Sequence, residues 1–168
     1  MKTRNLVLAV LFAAVTVLNA GHAFAANAPK PVNAKKFDAL STTALETMKQ
    51  KASELNIQGV AVVSFAPGDA IQGWTSKMAV VGHMTDLKAS EKGNNLLGIA
   101  YAKSAEMAST LLDSGTAKRP PMTGEFGWQG GVILQAKGGY IIVAFSGGKS
   151  EDDVQVSKAG LEVMKKGL

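Results

Sequence analysis

The sequence predicts an α+β fold, an antiparallel sheet of four to five strands flanked by helices. Three observations carry that prediction. Two dense apolar runs, around Val60-Ala61-Val62-Val63 and Tyr140-Ile141-Ile142-Val143, are rich in strand formers and bounded by turn residues. Long stretches on either side place apolar residues three and four apart, the spacing of one helix face. The order of these segments is helix, two strands, helix, irregular loop, two strands, helix. Strands adjacent in sequence and joined by short turns pair antiparallel, and helices outside them pack on the sheet.

The chain begins with Lys2 and Arg4, followed by an apolar run over residues 6–18 and the small-x-small triplet Ala23-Phe24-Ala25. This is the pattern of a signal peptide over 1–25, with a run too short for a comfortable membrane span. Residues 26–34 hold Pro29 and Pro31 among small polar residues and read as a flexible arm. One domain then occupies 35–168.

A first helix is expected over 35–55, where Phe37, Leu40, Ala44, Met48, Ala52 and Leu55 share a face. A buried strand over 59–66 ends at Pro67-Gly68-Asp69, a turn signal. A second strand over 74–84 is mostly apolar from Met78 to Val81, so the two form an antiparallel hairpin. Residues 85–95 are polar and read as a loop. A second helix over 96–113 places Leu97, Ala100, Tyr101, Ser104, Met107, Ala108, Leu111 and Leu112 on one stripe, with Gly115 positioned to end it.

Residues 116–129 are the most irregular part. Arg119-Pro120-Pro121 must be extended or turning, and Gly124 and Gly127 alternate with Phe126 and Trp128. A glycine- and aromatic-rich loop of this kind is the first place to seek a ligand. The closing hairpin turns at Lys137-Gly138-Gly139, and the last helix opens on Ser150-Glu151-Asp152-Asp153. Ser150 and Asp153 have the spacing of a capping box, the acids suit the positive helix end, and Lys165 and Lys166 suit the other.

Composition removes several chemistries. With no cysteine, thiol nucleophiles, thiolate zinc sites and iron–sulfur clusters are out. His22 leaves with the signal peptide, so His83 is the only imidazole of the remaining chain, and one chain cannot build a multi-histidine metal centre. No Gly-x-Ser-x-Gly elbow is present. Gly147-Gly148-Lys149-Ser150 looks like the tail of a phosphate-binding loop, but that motif needs glycine where Val143 stands. The leader takes Lys2 and Arg4 with it, so the chain's net charge of +5 falls to +3. Such a charge, with few aromatics, does not point to nucleic acid as a partner.

The segment 130–160, with Phe145-Ser146-Gly147-Gly148, an acid at Asp152 or Asp153, and Ala159-Gly160-Leu161, resembles the carboxy-terminal signature of the GlcG/HbpS-like family. The similarity extends over about Phe37 to Met164, with only the last third at motif grade. It implies a profilin-like α+β domain that forms homo-oligomers, and some members are secreted or periplasmic and bind haem or help degrade it. The turn after the first strand departs from the family's Asp-x-x-Gly, reading Ala66-Pro67-Gly68-Asp69.

What the resemblance implies here is a periplasmic or extracellular haem-binding protein, a binder, carrier or sensor input. An oligomeric interaction protein without haem and a haem-degrading enzyme are the alternatives. His83 is then the candidate iron ligand, with Met78, Met122, Tyr101 and Tyr140 as other donors haem iron accepts. Lys118 and Arg119 could pair with haem propionates. Phe126 and Trp128 could stack on the porphyrin edge, or equally plug the core or an oligomer interface.

Overall fold

The computed structural model describes residues 34–88 and 91–167. The signal-peptide reading of 1–25, and the arm up to residue 33, lie outside the described residues. Helix α1 (Ala34–Glu54) leads into β1 (Gly59–Pro67) and β2 (Thr75–Val81). Two short strands follow, β3 (Thr85–Asp86) and β4 (Asn94–Asn95), then α2 (Leu96–Thr110). The chain closes with β5 (Gly131–Ala136), β6 (Gly139–Ser146) and α3 (Ser150–Gly167). The main sheet has strand order β2-β1-β6-β5, antiparallel throughout, so the predicted α+β architecture stands with four strands.

The two central strands are buried on both faces, which explains why they read as continuous apolar runs rather than alternating ones. Alternation sorts their side chains between layers. Ala61, Val63, Phe65, Ile141, Val143 and Phe145 meet Phe37, Ala44, Met48 and Ala52 of α1 and Val156 and Met164 of α3. Val60 and Val62 instead meet Leu96, Ile99 and Ala100, and Ile142 and Ala144 meet Met107, all from α2. The sheet is therefore sandwiched, with α1 and α3 on one side and α2 on the other.

Several expectations are corrected. Strand β2 stops at Val81, three residues early, because Gly82 turns the chain at φ 77° and the His83 N–H closes on the Val81 carbonyl at 3.0 Å. The polar stretch after it contains the β3–β4 ribbon, pairing Thr85 with Asn95 and Asp86 with Asn94. Helix α2 ends at Thr110, before Gly115. Its cap is Leu111 at φ 56°, whose N–H donates to the Met107 carbonyl at 2.8 Å. Leu111 and Leu112 consequently leave the buried stripe and face solvent.

The buried face of α2 is Leu96, Ile99, Ala100, Lys103, Ser104, Glu106 and Met107, rotated from the expected stripe. At α3 the capping box takes another form. The first intrahelical bond runs from Asp153 N–H to Lys149 C=O, and the Asp153 carboxylate reaches back to Gly148 N–H instead of Ser150.

Candidate functional site

One end of the sheet gathers the start of β1, the ends of β2 and β6, the start of β5, the β3–β4 ribbon and the first turn of α3. A cleft of about 210 Å³ opens there, lined by Asp86 and Asn94 of the ribbon, Leu96 and Ile99 of α2, Trp128 and Gln129, and the Ser146-Gly147-Gly148 turn. Lys103 and Asp153 also line it. Their side chains are 3% and 4% exposed and meet at 2.7 Å.

Lys103 Nζ also donates to the Phe145 carbonyl at 2.8 Å, and Asp153 Oδ1 accepts the Gly148 N–H at 2.8 Å. This pair ties α2 to α3 across the end of β6. Burial pushes the Lys103 ammonium below its ordinary range and the Asp153 carboxyl above its own, each opposed by attraction to the other. Gly130 makes room for it. A Cβ there would lie 2.2 Å from Lys103 Nζ and 2.8 Å from Asp153 Cβ, and its φ of 135° already disfavours a side chain. The Gly130 carbonyl accepts from Phe145 N–H and from Ser157 Oγ at 2.6 Å, so this glycine is fixed from both sides.

The loop before Gly130 is held by side-chain acceptors. Glu106 Oε1 takes the Gly115 N–H, Ser114 Oγ the Gly131 N–H, and Asp113 Oδ1 the Ile133 N–H, all at 2.8–2.9 Å. Further along, Arg119 and Glu125 form a two-pronged pair, with both N–H···O distances at 2.7 Å. Glu125 Oε2 also accepts the Met122 N–H at 2.9 Å. These bonds hold the Glu125 carboxyl well below its usual range, at about 2. Phe126 and Trp128, 45% and 46% exposed, pack ring against ring with centroids 4.9 Å apart.

The candidates named from the sequence therefore fall into two groups. Arg119, Met122, Phe126 and Trp128 share one loop folded around Glu125, and Lys118 is exposed beside them. His83 stands elsewhere on the same sheet end. It is exposed, with Nδ1 2.6 Å from Gln58 Oε1, and neither it nor Met122 lines the cleft. Met78 is half-buried against α2. Tyr101 shares a hydrogen bond with Ser76 Oγ, and buried Tyr140 donates to the Asp69 carbonyl. Sequence reasoning missed Lys103, Glu106 and Glu125. The signal for Lys103 was its place in the series Leu96, Ile99, Ala100, Lys103, Met107, which has helical spacing with a cation in the middle.

No family model matches the chain. No curated protein matches it either. Among solved structures it is similar to the crystal structure of a PduOC:haem complex, with a TM-score of 0.51 and 16% identity, over 79% of this chain and 94% of that one. That likeness is one of fold: the chain has the architecture of a domain that was crystallised with haem.

Proposed function

We propose that the chain is a secreted or periplasmic binding protein for haem or a related tetrapyrrole, acting as a binder, carrier or sensor input and working as a homo-oligomer. The observation that carries this reading is the fold shared with a haem complex over nearly the whole of that neighbour.

Size decides where a macrocycle could go. Pockets that enclose drug-sized ligands span about 300–1,000 Å³, and the sheet-end cleft has about 210 Å³. A tetrapyrrole therefore belongs on an open face. The 118–128 loop offers one, with Met122, Phe126 and Trp128 exposed and its shape fixed by the Arg119–Glu125 pair. Arg119 is already committed to Glu125, which leaves Lys118 as the cation for a propionate. His83 does not share this face; as an iron ligand it would meet a haem held by the loop of a second copy of the chain, with Gln58 against its Nδ1. Haem, when bound, would supply the iron's ligand-binding and redox chemistry.

A haem titration of the chain from Ala26 onward, followed by absorbance and by mass on a sizing column, tests the reading. The expected result is a saturable Soret band at fixed stoichiometry, shifted or abolished in His83→Ala. An unchanged spectrum in that variant rejects His83 as the ligand. Protein-dependent bleaching with peroxide or reductant would identify a haem degrader instead.

A specific observation favours the second reading, an interaction protein. Leu111, Leu112, Met122, Phe126 and Trp128 are all exposed within residues 111–128, apolar groups that a partner surface could cover. A flat haem titration with an intact oligomer would select it.

A further inference from the structure

We propose that the cleft between the β3–β4 ribbon, Trp128 and the start of α3 binds a small organic ammonium ion. This proposal does not rest on the haem reading. The sign of the ligand follows from the charges. Three charged side chains line the cleft, and Lys103 and Asp153 neutralise one another, leaving Asp86 as the net charge. An anion would meet two carboxylates and a cation already spent.

Asp86 is also prepared to accept. Its Oδ1 takes the Lys88 N–H at 2.9 Å, while Oδ2 has no hydrogen-bond partner among the described residues. The half-exposed Trp128 also lines the cleft, and an indole attracts a nearby cation.

A second observation points the same way. Ser146 lines the cleft with a hydroxyl that makes no hydrogen bond to a described residue. Asn94 and Gln129, also on the lining, make no side-chain hydrogen bond among the described residues. These groups supply acceptors for an ammonium's N–H bonds. Leu96 and Ile99 give an alkyl group an apolar wall. The volume of about 210 Å³ equals about seven water molecules at ~30 Å³ each, the scale of a compact alkylammonium.

Propylammonium is the probe, with propionate and glucose as controls. Fluorescence in a Trp74→Phe background reports Trp128 alone, and calorimetry on the unmodified chain gives the affinity independently of either tryptophan. The expected result is a saturable response to propylammonium only, with affinity reduced about tenfold or more in Asp86→Asn, the loss typical of a charge-assisted bond. Asparagine keeps the oxygen that accepts from Lys88, so the ribbon stays formed. No saturable response, an equal affinity in Asp86→Asn, or binding of propionate or glucose would each overturn the proposal. A failed haem titration leaves all these outcomes readable.

Discussion

Two ion pairs in this molecule have the same N···O distance of 2.7 Å and opposite physics. Lys103–Asp153 sits under the sheet-end cleft with both side chains almost fully covered. Arg119–Glu125 sits in the surface loop, its arginine 34% exposed and its glutamate covered by its own loop rather than sunk in the core. Burial pushes Lys103 and Asp153 towards their neutral forms, whereas hydrogen bonds draw Glu125 deep into its charged form. Distance alone does not say what a pair does. Solvent access decides whether it is a pin that must not be half removed or a clip that shapes a loop.

The largest effect that sharpens this contrast is Lys103→Met. It strands a buried carboxylate and is expected to cost about 3–5 kcal/mol in urea unfolding. The double variant Lys103→Met/Asp153→Leu should recover most of that loss, because replacing both charges removes the desolvation penalty. A single variant as stable as the parent would end the idea of a pin. Next comes Gly130→Ala, which drives a methyl into the pair at a positive φ and should cost about 1–3 kcal/mol; thermal melts compare it directly with Lys103→Met.

Glu125→Gln should act on the loop and leave the fold alone. Its global unfolding midpoint is expected to match the parent's, while Trp128 emission and protease cleavage within 118–128 change. A shifted midpoint would mean that the two pairs are alike after all.

The smallest effect is on pH. Glu125 has its folded value depressed from 4.5 to about 2, so its contribution is fully present above 4.5 and lost as pH falls through about 2. Asp153 is raised above 3.8, so its contribution runs the other way, complete below 3.8 and declining as pH rises towards its folded value. The loop's Trp128 signal should therefore persist through pH 4 and collapse near 2.

The contrast also explains what could be read from the sequence. Strands β1 and β6 were legible because both faces are buried and the residues are uniformly apolar. The start of α3 was legible from its acids, yet Asp153's actual role was not, since its partner lies 50 residues away on α2. In α2 the expected stripe began at Leu97, whereas the buried one begins at Leu96. That slip of one position turned the helix by about 100° and put Lys103 on the wrong side. Phe126 and Trp128 were marked, from the glycine- and aromatic-rich loop and the family resemblance, as residues for a ligand, the core or an oligomer interface. Glu125, which shapes their loop, left no periodic signal because it lies in irregular chain.

The strand order has a temporal meaning. β1 lies between β2, its neighbour in sequence, and β6, which pairs Val143 against Val63 across 80 residues. As the chain emerges, the first hairpin can close early, but one edge of its most apolar strand stays open until β6, some 80 residues later, has been made. Such long-range closure is the slow kind. The unpaired edge of β1 is then the place where premature association would begin, and completion of β6 is the event that ends the exposure.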